Sequence, residues 1–594
     1  MGLLIWPYQL LGSLFFFFCC QFTCSASPFS SSAHHLCPHE QSFALLQFKQ
    51  LLSINSDASL SCDDPYPKIV SWKGDTDCCS WDGVKCHRLT GHVIGLDLTC
   101  SNLKGTIHSN SSLFQLTHLQ RLNLAYNDFN LSLISTEFGR FPNLTHLNLS
   151  ESGFSGQIPL EIFLLSKLVS LDLSFHELGK VEPKNFKMLL QDLNQIQDLD
   201  LDYMDLSTSD FLLDSLANLS SLTSLSLSNC KLQGKFPDAI FHLPNLQTLI
   251  LEENFDLTGY LPVFNCNNSC PLSFLDLSSC HFSGSIPESI GNLTKITHLF
   301  LSENEFTGQV PSTLSQLSQL VILDLSSNHL EGQIPNVFAN LTHLVYLDLS
   351  STRLTGELPD SIYHLKSLQY LSLSNCEITG SIPKSLGYLA VNGQAPSTIS
   401  NVEQLTDLDQ LTGYIPSNIS GLPSLSVLML SNNLLNGTIP SWLFALPSLV
   451  RLDLGSNRFS GQIHEFCHKS LDYIDLSNNE LEGPMPQSIF QLVNLTHLLL
   501  SSNNLSGIVE LDMFSNLQRL RVLGLSYNNR LLFSTNNNVN FTLPNFEKLL
   551  LRACKVTEFP DFLRTLGHLR VLDLSDNQIH GQIPEWLRDV GSKS

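Results

Sequence analysis

The sequence predicts an α/β solenoid: a right-handed superhelix of stacked repeats with a parallel β-sheet on its concave face. Three observations carry that prediction. The chain repeats itself about every 24 residues, each period holds a pair of leucines two places apart, and an Asn or Cys follows three places after the second leucine. The stretch from Leu320 to Pro335 reads LVILDLSSNHLEGQIP, and Leu344 to Pro359 repeats it as LVYLDLSSTRLTGELP. A unit this short cannot bury its apolar face alone, so the copies must stack. At 594 residues the chain is too long for one compact core, but a coil in which each turn touches only its neighbours has no such ceiling.

Each place in the repeat has a physical task. The spacing Leu-x-x-Leu-x-Leu-x-x-(Asn or Cys)-x-Leu is that of leucine-rich repeats, in twenty copies, one of them damaged. Side chains alternate across a strand, so Leu323 and Leu325 point into the coil while Ile322, Asp324 and Ser326 point out. Asn328 follows the strand, where a buried amide can satisfy backbone groups of its own turn and the next. Gly332 permits a backbone conformation closed to other residues, and Pro335 ends pairing for want of an amide proton. Twenty strands at about 4.8 Å span roughly 90 Å of arc.

Composition narrows the function. Net charge is -23, with 54 acidic against 31 basic residues, which argues against nucleic-acid binding because that needs Lys/Arg clusters. Residues 1–26 read as a secretory signal: an apolar run from Gly2 to Phe22, then a small-residue cleavage site at Cys24-Ser25-Ala26. No later run of eighteen apolar residues follows. Asn-x-Ser/Thr sequons start at Asn110, Asn130, Asn143, Asn148, Asn218, Asn267, Asn292, Asn340, Asn418, Asn436, Asn494, Asn504 and Asn540, which suits a glycosylated extracellular protein.

Residues 27–90 form the expected N-terminal cap, which covers leucines that would otherwise face water. Phe43, Leu46 and Leu51 fall on a helical period within SFALLQFKQLL, and Trp72, Cys78, Cys79, Trp81, Gly83 and Cys86 follow. A cysteine-stapled cap suits an oxidising compartment. Cys37–Cys78 and Cys79–Cys86 are the preferred bridges and Cys62–Cys100 a third candidate, although one sequence leaves connectivity open.

The segments CPHEQSFALLQFK and SWKGDTDCCSWDGVKC, followed by repeats of the form LxxLxLSxNxLxGxIP, resemble the plant extracellular leucine-rich-repeat receptors. The wording is most similar to the Cf-type receptor-like proteins, from Cys37 to the last residue. The cap motif and the Gly-x-Ile-Pro ending are specific to the plant class. The resemblance implies a cell-surface immune receptor without a kinase domain, sensing an apoplastic ligand and signalling through partner receptor kinases.

Repeats fill 91–383 and 417–594. Residues after Leu178 are expected to add a short convex helix. Cys230, Cys280, Cys376 and Cys554 replace the repeat Asn and are expected to be buried free thiols; Cys266 and Cys270 could close a local bridge, and Cys467 has no obvious partner. Residues 384–416 depart from the template. Pro383 to Leu405 takes 22 places where nine are usual, and LTDLDQLTG lacks its second inward leucine and its Asn. A looped-out turn is expected there; a damaged gene is the alternative. The chain stops at Ser594 partway through a repeat, which reads as truncation before the family's membrane anchor and C-terminal cap.

Candidate sites lie on the outward strand places. Asp198, Asp200 and Asp202 share one face by period two and are expected to form an acidic concave patch, rather than a calcium loop, whose sixth-place Gly is here Tyr203. Aromatic anchors are expected at Tyr126, Phe175 and Tyr203, in the place before the ladder residue, and at Phe300, Tyr346 and Tyr370, with Glu151, Phe175, Asp202 and Tyr203 as the leading cluster. His146, His298 and His497 recur at one strand place and read as solvated. His464-Glu465-Phe466-Cys467-His468 matches the H-E-x-x-H zinc string, but it falls in a short return loop that cannot support the helix this chemistry needs. No kinase signature, phosphate loop or nucleophile elbow is present, so no enzyme, metal or cofactor is expected. The expected ligand is a peptide, protein or glycan. The alternative is a secreted inhibitor resembling the polygalacturonase-inhibiting leucine-rich-repeat proteins.

Overall fold

The computed structural model of the protein describes residues 37–175, 177–178, 193–207, 212–265, 270–382, 422–534 and 542–589. The leader at 1–26, the convex helix expected after Leu178 and the irregular stretch 384–416 lie outside the described residues.

The leucine pairs build the inner sheet. The strand Val93–Asp97 pairs in parallel with Arg121–Asn123, which pairs with His146–Asn148, and the series continues turn by turn to Val571–Asp573. Register is constant: Leu299, Leu323 and Leu347 lie directly across from one another. These leucines and Leu325 are wholly buried. The other side of Val93–Asp97 takes the antiparallel cap strand Val84–Cys86, and among the described residues nothing pairs beyond Val571–Asp573, so the sheet is an open ribbon.

A second ladder stands beside the first, one that the Gly-Pro wording of the repeat did not announce. His329–Gln333 pairs in parallel with Glu305–Gly308 on one side and Arg353–Gly356 on the other. Gly332 sits inside this strand at φ +82°, and pairing stops at Gln333, short of Pro335. Short 3-10 turns such as Ser312–Gln316 then close the coil.

The repeat Asn ties adjacent turns together. Asn328 donates through Nδ2 to the carbonyls of Leu325 at 3.2 Å and Ser326 at 3.0 Å in its own turn, and to Leu301 of the preceding turn at 2.8 Å. Its Oδ1 accepts the Phe306 N–H at 2.9 Å. Where Cys280 takes this place, its thiol still donates to the Leu251 carbonyl at 3.2 Å but offers no amide oxygen in return. The Leu257 N–H turns to the Asn254 carbonyl at 2.9 Å instead. Cys230, Cys280, Cys376 and Cys554 are all buried free thiols.

One pairing bears on the irregular stretch. Tyr370–Ser372 lies directly against Val427–Met429 in the usual register, with Leu371 opposite Leu428. Asn433 donates to the Leu373 carbonyl at 2.7 Å and accepts the Ile378 N–H at 3.0 Å, the same bonds that join consecutive repeats elsewhere. Among the described residues no inner strand stands between them.

The cap carries the bridges Cys37–Cys78, Cys62–Cys100 and Cys79–Cys86. Its helix, His39–Gln50, forms where expected, but its buried residues are Gln41, Ala44, Leu45 and Phe48. Phe43 and Leu51 are instead exposed. The helix docks by polar contacts as well as apolar ones. Gln41 Oε1 accepts the Val93 N–H at 2.7 Å, and Ser112 donates to the Ala44 carbonyl at 2.7 Å. Trp72 and Trp81 stack beneath it with ring centroids 5.7 Å apart.

Candidate functional site: the inner corner of the coil

The residue just before the place of the repeat Asn, whatever stands at that place, adopts a left-handed backbone in turn after turn. Tyr126, Glu151, Phe175, Tyr203, Asn229 and Glu253 have φ between +43° and +64°. Only this corner lets the chain leave the strand sharply, and an L side chain there costs roughly 1–2 kcal/mol, offset by the ladder bonds on either side. The corner side chains form a row along one rim of the inner sheet.

Phe175 and Tyr203 are neighbours in that row. Their rings stack with centroids 4.4 Å apart and planes 29° apart. They are 47% and 45% exposed, an unusual amount of open aromatic surface for two rings already in contact. Toward the cap, Ser61 donates to Glu151 Oε1, and Ser59 donates to the Tyr126 carbonyl at 2.6 Å. The Cys62–Cys100 bridge holds the loop that carries both serines. Tyr126, Glu151, Phe175 and Tyr203 are therefore consecutive along one rim.

Of the aspartate trio only Asp198 is exposed. The strand spans only Asp198–Asp200, and Asp202 lies beyond it. Asp202 accepts the Ser226 hydroxyl at 2.7 Å and the Ser228 N–H at 2.6 Å. Asp200 accepts the Asp202 N–H at 3.1 Å, and Asp198 takes the Thr223 hydroxyl at 3.0 Å. Burial, with the neighbouring carboxylates adding to it, pushes the Asp200 pKa up, and burial does the same for Asp202. Asp200 and Asp202 are thus engaged within the wall, while Asp198 stays exposed.

The single aspartates of other strands do the same work. Asp276 is 1% exposed and accepts the Ser278 N–H at 2.9 Å. Asp324 repeats the bond to Ser326 at 3.0 Å. Burial, reinforced by Glu252, raises the Asp276 pKa to about 7. Burial, reinforced by Asp348, raises that of Asp324 to about 6.

The remaining aromatics are mostly spent on one another. Phe300 is only 7% exposed, covered by Phe274 and His298, so it does not present the open ring expected of it. Tyr346 and Tyr370 stack at 4.2 Å, and the Tyr370 hydroxyl donates to Asp348 at 3.2 Å. Both rings are half-buried. His146, His298 and His497 are half-buried too, each bonded to the preceding Thr, and burial lowers their pKa values.

The zinc string forms no helix. Glu465 accepts the Ser488 N–H at 2.9 Å, and Phe466 packs edge-on against Phe444 at 4.9 Å. Among the described sequons, Asn110, Asn130, Asn218, Asn340 and Asn436 are exposed. Asn143, Asn148, Asn292, Asn494 and Asn504 are half-buried, and Asn148 donates to Asp172 at 2.8 Å on the inner sheet. Asn267, Asn418 and Asn540 lie outside the described residues. Cys270 is disulfide-bonded, and Cys266 lies outside the described residues.

One corner aromatic escaped the sequence reading. Tyr527 occupies the same place as Tyr203, with φ +58°, and the Arg552 guanidinium lies 5.0 Å from its ring centre. Its position before the repeat Asn was the available signal.

A stacked parallel ribbon and a disulfide-stapled cap define the class: a leucine-rich-repeat solenoid. Residues 271–330, 334–378 and 404–459 match the family described as Leucine rich repeat, and residues 38–87 match the Leucine rich repeat N-terminal domain. Shorter repeat matches fall at 221–243, 470–492 and 568–590. The chain is 42% identical over 276 residues to Receptor-like protein Cf-9 of Solanum pimpinellifolium, covering 45% of this chain and 31% of that protein. It is 39% identical over 568 residues to Receptor-like protein 7 of Arabidopsis thaliana, covering 94% of this chain and 51% of that one. The chain thus spans about half, or less, of the length of these relatives. Among solved structures it is similar to the Arabidopsis receptor kinase HAESA in complex with the peptide hormone IDA and the co-receptor SERK1. That match has 27% identity and a TM-score of 0.62, over 93% of this chain and 92% of the other. A TDR receptor matches at 26% identity and a TM-score of 0.61, over 86% and 85%. The chain belongs to the plant leucine-rich-repeat receptor-like proteins of the Cf type.

Proposed function

We propose that the chain is the extracellular ligand-recognition part of a plant immune receptor-like protein without a kinase domain. It captures a pathogen-derived or apoplastic peptide, protein or glycan and passes the signal to partner receptor kinases. The observation that carries this reading is the open Phe175–Tyr203 stack on the inner rim, beside a wall whose other aromatics and carboxylates are largely engaged. The relatives named receptor-like proteins support it, as does the likeness to a receptor ectodomain solved with a peptide hormone and a co-receptor. The role is binding rather than catalysis: Glu465 of the zinc string is tied to the neighbouring turn, and the string lies in irregular backbone. Secretion through the leader, glycosylation and membrane association belong to the same proposal. Among the described residues no helix is long and apolar enough to cross a membrane.

The test is capture from apoplastic extract by the purified chain and by its Phe175→Ala/Tyr203→Ala variant. The variant is expected to lose the captured species at an unchanged melting temperature. Equal capture by both removes the rim from the proposal.

A further inference from the structure

The corner row contains its own template for what an aromatic at this place can hold. At the C-terminal end, three consecutive turns contribute Tyr527, Arg552 and Asp576. The Arg552 guanidinium lies 5.0 Å from the Tyr527 ring centre and donates through Nε to Asp576 Oδ2 at 2.8 Å. A second guanidinium nitrogen reaches the same oxygen at 2.7 Å. The cation is held between a ring on one side and a carboxylate on the other, the arrangement that suits a planar guanidinium.

The same three places near the N-terminal end hold Tyr203, Ser228 and Glu253. The backbone hydrogen bonds at the two corners correspond. Tyr203 N–H donates to the Ser228 carbonyl at 2.8 Å, as Tyr527 N–H donates to that of Arg552 at 2.8 Å. Tyr203 and Glu253 occupy left-handed corners, at φ +64° and +59°, as do Tyr527 and Asp576, at +58° and +55°. The ring and the acid hold the same places; the middle turn contributes the buried Ser228 where the template has Arg552, and Asn229 at its corner where the template has Ala553. Asn229 donates to Glu253 Oε2 at 2.8 Å and steadies the carboxylate. Among the described residues no cation lies over Tyr203. Phe175 extends the aromatic floor on the far side.

We infer that an arginine side chain of the ligand lies over the Tyr203 ring and reaches Glu253 beside Asn229, taking the role that Arg552 fills within the chain. This rests on the ligand-binding reading of the rim and narrows it to a ligand with an exposed basic segment. The surplus of 54 acidic over 31 basic residues draws such a segment in. Arginine fits better than lysine because its flat fork can stack on the ring and reach the carboxylate at once.

The experiment uses the purified chain and a labelled peptide, Gly-Ser-Arg-Ser-Gly, against its counterpart with neutral citrulline in place of Arg, at physiological salt. The arginine peptide is expected to bind more tightly, with roughly 2–5-fold of the difference traceable to the ring. Ser228→Arg, which installs the internal cation, should abolish that preference. Tyr203→Leu and Glu253→Gln should each reduce it, and Ser228→Ala, which removes only the hydroxyl, should leave it. A preference untouched by Ser228→Arg, Tyr203→Leu and Glu253→Gln overturns the inference. If the aromatic double variant loses apoplastic capture while the arginine preference survives all three changes, the rim reading stands and the arginine assignment falls. If capture also survives, both fall.

Discussion

Asn304 donates to the carbonyl of Leu277, one turn earlier, at 2.7 Å. The same amide accepts the Phe282 N–H of that turn at 2.9 Å and donates to Leu301 and Ser302 of its own. One buried side chain thus satisfies backbone groups that neither sheet reaches. Asn304→Ala leaves them unpaired and is expected to destabilise the coil by about 1–3 kcal/mol. Cys280→Ala should cost less, since the Leu257 N–H beside that turn has already found another acceptor. Thermal unfolding of the two variants side by side checks the order.

The buried aspartates give stability a pH dependence. Asp276, at about 7, and Asp324, at about 6, sit above the ordinary value of about 3.9 for an unfolded Asp. The folded chain therefore keeps protons that the unfolded chain has released. Their contribution is fully present below about pH 4 and is lost as pH rises through 6 and 7, at up to about 1.4 kcal/mol per pH unit for each group. Asp276→Asn should flatten the fall in melting temperature between pH 4.5 and 7.5. An unchanged slope shows that Asp276 does not titrate in this window.

Thiol labelling should separate the free cysteines. Burial raises the thiol pKa of Cys280 and Cys554 to about 12 and pushes that of Cys230 and Cys376 up as well. Cys467 is exposed. An alkylating reagent applied to the native protein at pH 7.5 is expected to modify Cys467 and spare the other four. Mass spectrometry of tryptic peptides reads this directly.

The third cap bridge should act locally. Cys62→Ser/Cys100→Ser frees the loop that reaches Tyr126 and Glu151, while Cys37–Cys78 and Cys79–Cys86 remain. Hydrogen exchange is expected to quicken in residues 55–66 and to stay unchanged beyond Phe175. Faster exchange through the whole ladder is the opposite outcome.

The fold was legible because each leucine's neighbours are the same leucine one turn away. Period alone therefore told Leu323 from Asp324. Cysteine placement showed a stapled cap and left the pairing open; the structure has Cys37–Cys78, Cys62–Cys100 and Cys79–Cys86. What the sequence hid depends on contacts between different residues of adjacent turns. Phe300 reads as an outward ring, yet Phe274 and His298 close over it. Asp202 reads as a third strand carboxylate, yet it turns to Ser226 and Ser228 of the next repeat. In the cap helix a polar Gln41 is buried and Phe43 is not, because the docking partner is a strand edge with an N–H to satisfy. The Phe175–Tyr203 pair was found from spacing alone, but its stacking was not.

Tyr370–Ser372 meets Val427–Met429 as if the two were consecutive in sequence. A coil that transmits its pitch across hydrogen bonds rather than along the polypeptide keeps no tally of the chain passing between neighbours. Lengthening or shortening such a connection moves nothing upstream or downstream by a fraction of a turn. The strand register at this pairing is thus independent of how long the connection is, which leaves the junction free to be rewritten while the rim keeps its alignment.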